Sequence, residues 1–282
     1  MKKKVYIIAG PTASGKTGLS IQLAKQLKGE IINADSIQVY EDVPLLTARP
    51  TEEEKKDIPH HLFGYLDAHQ TSSVQDWLDR LPNLVDTIDV PIFVGGTGLY
   101  IKSLIEGLSP IPDIPQEIRT QVRQMSTDEL KSKLPNAKLT DPQRLMRAFE
   151  VLKTTGKTLE WWYEQPKKQI LKDVEFKTIV LLPHREILYT HCNYRFEQMM
   201  QSGALHQVVE LLQKNPQMTG GVFQAIGVSD LISFIQGTQT LEKAIEHAQQ
   251  LTRNYAKRQT TWFKHQIKAD ILLQKAILPE KI

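Results

Sequence analysis

VYIIAGPTASGKTGLSIQLAKQL, Val5 to Leu27, starts with a short apolar run to Ala9, turns at Gly10 and Pro11, and continues with Leu19, Ile21, Leu23 and Ala24 at helical spacing. The pattern predicts strand, loop, helix. Within it GPTASGKT, Gly10 to Thr17, fits G-x-x-x-x-G-K-[ST] in the strand-to-helix setting the motif requires. Gly10 and Gly15 allow backbone conformations and close approaches that a Cβ would block, so consecutive N–H groups can point into one concavity. Lys16 adds a mobile positive charge, the helix adds its positive dipole end, and the Thr17 hydroxyl can bind a Mg²⁺ that bridges two phosphates. A diphosphate group is the expected ligand. The bland alternative is a Gly-rich turn that packs a helix on a sheet. A phosphate cradle does not say which bond breaks: it can hold a phosphoryl group in transfer, or a whole diphosphate that leaves as an anion.

Working outward, Glu30 to Ala34 and Pro91 to Val94 read as further strands, with an amphipathic helix from about Ser73 to Asp86 between them. Strands alternating with helices predict a parallel α/β sheet. Asp35 follows the second strand and so projects at the cradle's edge of that sheet, either for chemistry or as an ordinary helix cap. GGTGLY, Gly95 to Tyr100, ends the third strand at the same edge. There Thr97 can offer its hydroxyl to phosphate or substrate, or simply cap the next helix, Gly98 to Glu106. No acidic residue follows the third strand to hold Mg²⁺ as in P-loop ATPases, which counts against that activity.

Ser109 to Pro115 carries three prolines and marks a break, after which the pattern is helical and polar from Gln116 to about Gln169, with Asp141 and Pro142 as a helix start. Phe176 to Leu182 returns to strand character. Helices then read from His184 to Asn215, Gly227 to Gln236 and Thr240 to Ile267. The expected organisation is a P-loop core over residues 1–114, a helical insertion subdomain over 115–173, and core completion with C-terminal helices over 174–282.

The 282 residues are 40% apolar and 24% charged, which excludes disordered and collagen-like classes. No apolar run approaches the ~18 residues that cross a bilayer, so a cytoplasmic location is expected, with no membrane partner. Cys192, the sole cysteine, cannot form an internal disulfide and reads as a packed thiol. The net charge of +3 permits a polyanionic partner. Arg144 and Arg147 share a helix face; Arg253, Lys257, Lys264 and Lys268 line the last helix with Tyr255 and Trp262 interleaved, and no acidic residue lies between His247 and Ala269. That is an RNA-backbone signature, with a solvated helix face as the alternative. Trp161 and Trp162 read as packing, and His60 and His61 as structural or channel residues instead of zinc ligands.

With these residues in view, the chain resembles the tRNA dimethylallyltransferase (tRNA isopentenyltransferase) family, in its short bacterial form. GPTASGKT, INADSIQVY (Ile32 to Tyr40), TARP (Thr47 to Pro50), PHHL (Pro59 to Leu62), VGGTGLYIKSLIEGL (Val94 to Leu108), DPQRLMRAFEV (Asp141 to Val151) and TRNYAKRQTTWF (Thr252 to Phe263) occur in the family's order. The resemblance implies transfer of the dimethylallyl group from its diphosphate to N6 of the adenosine 3′-adjacent to the anticodon, in tRNAs reading codons that begin with U, with Mg²⁺ as cofactor. It further implies that Thr12, Ala13 and Ser14 line the diphosphate site with Lys16, that Asp35 is the general base, and that Thr97 lies between diphosphate and nucleotide. Asp35, Ser36, Ile37, Gln38, Arg119, Gln143, Arg144, Leu145, Met146 and Arg147 look like contacts to the tRNA anticodon stem-loop, joined by Arg253 and Lys257; the enzyme is expected to act as a monomer. Three positions depart from the family pattern. Val228, Ser229 and Asp230 stand where it reads Tyr-Lys-Glu, Leu46 replaces a glycine before TARP, and Ile114 to Thr140 is short. The competing readings are a P-loop kinase of a nucleotide or small metabolite, and a prenyltransferase acting on free AMP or ADP.

Overall fold

The computed structural model describes residues 2–134, 139–218 and 220–279; positions 135–138 of the expected insertion lie outside these. Six strands form one wholly parallel sheet: β1 (Lys3–Ala9), β2 (Glu30–Asn33), β3 (His60–His61), β4 (Pro91–Gly95), β5 (Val174–Leu181) and β6 (Ile271–Leu273). Their order is β3-β2-β4-β1-β5-β6, a P-loop NTPase-like arrangement. Alternation of side chains decides its two faces. Tyr6 and Ile8 of β1 pack with Ile31, Ile92, Ile179 and the Leu19, Leu23 and Ala24 face of the helix Lys16–Leu27. On the other face Phe93 meets Trp77 edge-on at 6.0 Å, and Trp77 stacks on Tyr100 at 4.7 Å. Burying aromatics of this size contributes about 3–5 kcal/mol each when judged by truncation to Ala.

The register positions the site. Ala9 of β1 lies beside Gly95 of β4, and Asn33 of β2 lies beside Val94, so the carboxyl ends of three neighbouring strands finish nearly level. The loops that carry the cradle, Asp35 and Thr97 therefore leave the sheet side by side.

Several elements differ from the expectation. β3 and β6 were not expected from the sequence, because two and three residues are too few to show a period. The single helix expected from Ser73 to Asp86 is two, Val74–Asp79 and Leu81–Thr87, the second beginning with Pro82 in its first turn. The helix expected from His184 to Asn215 divides into Arg185–Gln201 and Ala204–Lys214 at Gly203, whose φ of 100° breaks the helical path. The last helix is Leu241–Gln266, so Lys268 lies beyond it and is not part of its basic stripe. No helix of the described residues is long and apolar enough to cross a membrane.

The chain divides into two compact units, Met1–Ile105 with Ile170–Ile282, and Glu106–Gln169. The second unit starts and ends earlier than the expected 115–173. Leu108 and Lys168 exchange backbone hydrogen bonds of 3.2 and 2.8 Å, which closes the unit at its neck, and Ile114 packs inside it. Its helices Gln116–Arg123, Thr127–Lys133, Pro142–Thr155 and Leu159–Tyr163 bury Val122, Leu130, Leu145 and Val151. Asp141 caps the third of them by accepting from Arg144 N at 2.9 Å, as its sequence position implied. Trp162 packs on this core and donates from its indole N–H to Thr155 Oγ1 at 3.1 Å.

Candidate active site

The cradle follows β1 directly. A Cβ at Gly10 would lie 2.3 Å from the Leu181 carbonyl oxygen, so only glycine passes there. Ala13 and Gly15 both take positive φ, 60° and 96°, on either side of Ser14. Alternation of this kind forms a backbone nest for anions. Ser14 is buried, and its Oγ has no hydrogen-bond partner among the described residues. Lys16 folds back so that Nζ donates to the Pro11 carbonyl at 2.7 Å. Burial lowers its ammonium to a pKa of about 8, Asp35 opposes that shift, and Arg195 adds to it. The site thus gathers positive charge on partly buried groups, a condition that strengthens the hold on an incoming anion.

Two side chains that the sequence reading did not single out complete the cradle. Arg195 donates from its guanidinium to Thr12 Oγ1. Gln259 is 6% exposed. Its Oε1 accepts from Thr12 N at 2.8 Å and its Nε2 donates to the Gly96 carbonyl at 2.8 Å. It therefore ties the cradle to the loop after β4. A Cβ at Gly96 would come within 2.5 Å of that amide nitrogen, which explains the glycine there.

Asp35 sits in a turn held from three directions. Asn33 Oδ1 accepts from Asp35 N at 2.9 Å; Asn33 Nδ2 donates to the Asp35 carbonyl at 3.0 Å and to the Leu62 carbonyl at 2.9 Å. Trp77 Nε1 donates to the Asn33 carbonyl at 2.8 Å. One carboxylate oxygen of Asp35, Oδ1, accepts from Ile37 N at 3.0 Å. Oδ2 lies on the Gly96 side, 3.5 Å from where a Cβ there would stand. Asp35 is therefore both a turn cap and a side chain facing the cavities. Thr97 accepts from Ser36 N at 2.9 Å and donates to Ser36 Oγ at 3.2 Å. In this arrangement its hydroxyl braces the Asp35 turn.

Two cavities meet at this turn. One, of about 330 Å³, is lined by Thr12 to Thr17, Asp35, Gln38, His191, Tyr194 and Arg195. The other, of about 310 Å³, has Ser36, Ile37, Leu46, Phe196, Met199, Ile226, Tyr255 and Arg258 in its wall. Thr12, Asp35, Thr47 and Arg195 line both. The first gathers the nest, Lys16 and Arg195, donors suited to an anion. The second is mixed, lined by apolar side chains such as Leu46, Phe196 and Met199 and by polar ones such as Tyr255 and Arg258. Gln38 lies outside the second cavity's wall: its Nε2 donates to the carbonyls of Thr47 and Ala48 and fixes the loop that carries them. Burial pushes the Tyr255 phenol up, so it stays a neutral hydrogen-bonding group. Cys192 is buried and its thiol is also pushed up, in line with a packed residue and not a nucleophile.

The other expected RNA contacts fall into three groups. Lys257 is exposed on the last helix, as a phosphate contact requires. Arg253 is half-buried and donates to Asn193 Oδ1 and Gln250 Oε1, so it braces the helix Arg185–Gln201. In the helical unit, Gln143 and Arg144 are exposed, Arg147 lies 3.8 Å from Glu150, and Arg119 Nε donates to the Ile114 carbonyl. Leu145 is fully buried and Met146 packs beside it, so both serve the unit's core. Val228 is likewise fully buried, Ser229 is exposed, and Asp230 is buried with Oδ1 2.6 Å from His247 Nδ1. His60 and His61 are structural: His60 Nδ1 bonds the Ile58 carbonyl and His61 Nε2 lies 2.6 Å from Glu30 Oε2.

The chain is similar to known proteins over most of its length. The family described as IPP transferase matches residues 38–266, and the one described as isopentenyl transferase matches residues 3–69. A tRNA dimethylallyltransferase of Zymomonas mobilis subsp. mobilis is 41% identical over 277 residues, covering 94% of this chain and 89% of that protein. One from Rickettsia bellii is 40% identical over 289 residues, covering 96% and 91%. Among solved structures, a eukaryotic dimethylallyltransferase acting on tRNA superposes with a TM-score of 0.80 at 30% identity, covering 97% of this chain and 74% of that one. The tRNA isopentenylpyrophosphate transferase of Bacillus halodurans gives 0.72 at 32% identity, covering 98% and 90%.

Proposed function

Because the chain belongs to the tRNA dimethylallyltransferase family and transfers the dimethylallyl group to tRNA, we propose that its donor is dimethylallyl diphosphate. The proposed acceptor is N6 of the adenosine 3′-adjacent to the anticodon, in tRNAs reading codons that begin with U. The carrying observation is that Asp35 lies on the wall shared by the anion cavity and the mixed cavity. A carboxylate in that position adjoins both the leaving diphosphate and the incoming amine.

The exocyclic amine of adenine is a weak nucleophile, since its lone pair is conjugated with the ring. Asp35 accepts its proton as the N6–C1 bond forms. The C1–O bond of the allyl diphosphate breaks, and its electron pair leaves with the diphosphate. Lys16, Arg195 and the backbone N–H groups of the nest stabilise the charge that grows on that group. The polar wall of the mixed cavity, with Tyr255 and Arg258, receives the base after it leaves its stack, a cost of a few kcal/mol. Gln259 and Thr97 hold the two loops at fixed spacing, so the amine and the allylic carbon meet in line.

The residues fit a Mg²⁺ cofactor of the kind that P-loops bind through one hydroxyl and the phosphates themselves. Thr17 lies in the first turn of the helix beside the nest, the orphan Ser14 hydroxyl lies within the nest, and no cluster of three or more His, Cys, Asp or Glu side chains suited to a metal occurs among the described residues. Thr17 would hold the ion with the donor's phosphate oxygens. When bound, Mg²⁺ neutralises diphosphate charge. A tRNA substrate supports a cytoplasmic location.

The test is nucleoside mass spectrometry of unmodified tRNA incubated with the protein, dimethylallyl diphosphate and Mg²⁺. The expected product is an adenosine heavier by one five-carbon unit, next to the anticodon, formed without ATP. A phosphorylated product that requires ATP, or modification of free AMP in place of tRNA, would overturn the proposal.

A further inference from the structure

Leu46, Phe196 and Met199 form an apolar wall of the mixed cavity and belong to one buried cluster. Leu46 is 8% exposed and forms part of that wall. Its backbone is anchored on both sides. Leu45 N donates to Gln207 Oε1 at 3.1 Å, and Gln38 Nε2 donates to the Thr47 and Ala48 carbonyls at 3.1 and 2.8 Å. A Cβ on Gly227 would lie 3.4 Å from Leu46 Cδ2 and 2.7 Å from the Phe196 ring, so the space behind the side chain is already filled. The wall is both apolar and unable to recede.

We propose that Leu46 is a specificity-determining residue that sets the length of the prenyl donor, admitting a five-carbon allyl group and rejecting its ten-carbon homologue. This rests on the reading that an allyl diphosphate is the donor. The diphosphate in the cradle and the amine at Asp35 fix the allylic carbon beside the residues common to both cavities. The hydrocarbon tail leaves water most completely against the apolar wall of Leu46, Phe196 and Met199, while the base takes the polar side chains Tyr255 and Arg258. Each further carbon would then have to displace Leu46, whose loop is held by three hydrogen bonds. One methylene too many in a rigid apolar pocket changes selectivity by roughly 10–200-fold.

The experiment supplies dimethylallyl and geranyl diphosphates at equal concentration, with tRNA and Mg²⁺, and reads the ratio of ten-carbon to five-carbon adenosine by mass spectrometry. In parallel, the affinity of each diphosphate is measured without tRNA. The unaltered enzyme should give almost only the five-carbon product. Leu46→Ala should raise the ten-carbon share at least about tenfold and tighten geranyl diphosphate relative to dimethylallyl diphosphate. Leu46→Val, a smaller change that spares the fold, should shift both readouts in the same direction by less. An unchanged product ratio and unchanged relative affinities in both variants would overturn the proposal, as would equal use of the two donors by the unaltered enzyme. Five-carbon product from the unaltered enzyme reports on the donor reading separately, so failure of one is not mistaken for failure of the other.

Discussion

The two ends of the active site are built in different ways. The phosphate end is an unbroken run, Gly10 to Thr17, between a strand and the helix it enters. The opposite end is assembled from Asp35 to Ile37, Leu46 and Thr47, from Cys192, Arg195, Phe196 and Met199, from Gln224 to Ile226, and from Thr252, Tyr255 and Arg258, brought together only by the fold. A contiguous site depends on local backbone geometry. A dispersed one depends on the ties between distant segments: Thr97 holds the Asp35 turn to the loop after β4, and Gln259 and Arg195 join these segments to Thr12 of the cradle. Damage to the first end should therefore act on charge, and damage to the second on alignment.

The sharpest break of that distinction is Lys16→Ala. It removes a charge opposite the leaving diphosphate while leaving the fold's ties intact, and should lower the transfer rate by about 10²–10³-fold in single-turnover measurements. Thermal stability should change little. Gln259→Ala should do the reverse. Loss of its two buried hydrogen bonds leaves Thr12 N and the Gly96 carbonyl without their partner, costing about 1–3 kcal/mol in denaturant unfolding. Transfer should slow by up to about 10²-fold through misalignment, with a smaller loss of diphosphate affinity than in Lys16→Ala.

A smaller effect sharpens the phosphate end alone. Lys16 titrates near pH 8 in the free enzyme, so its positive charge is present below that pH and is lost as pH rises through it. Affinity for dimethylallyl diphosphate, measured calorimetrically, should be flat below about pH 7.5 and fall above pH 8 by at most about tenfold per pH unit. In Lys16→Ala the profile should be weak and flat. Smallest of all, Lys257→Ala should leave transfer at saturating tRNA nearly unchanged while making the salt dependence of tRNA binding shallower by roughly one unit. Arg253→Ala, whose guanidinium is already engaged with Asn193, should instead lower stability.

The same contrast explains what could be read from the sequence. The cradle, the parallel strands around it and the place of Asp35 at their carboxyl edge were legible because glycine spacing and apolar runs are local signals. Arg195 and Gln259 were not, since each sits on a long helix of ordinary polarity and acquires its role from a partner more than 160 residues away in the chain. A buried polar side chain at an inward helix position, such as Gln259 between Ala256 and Phe263, was the available signal. Leu145 and Arg253 carry packing roles that spacing alone did not reveal: helical phase puts Leu145 in a core and Arg253 against another helix. The division at Glu106 also escaped notice, because the prolines of the break lie inside the unit whose neck is a backbone pair between Leu108 and Lys168.

The assignment of Asp35 as the group that joins the two ends is tested most directly by Asp35→Asn under single-turnover conditions with both substrates saturating. Asn keeps an oxygen for the Ile37 N–H, so the turn and the cavities persist, but it cannot take the amine's proton. Transfer should slow by about 10²–10⁴-fold while the affinities for dimethylallyl diphosphate and tRNA stay close to those of the unaltered enzyme. A loss of less than about tenfold, with unchanged affinities, would show that Asp35 only caps its turn and that the proton leaves by another route.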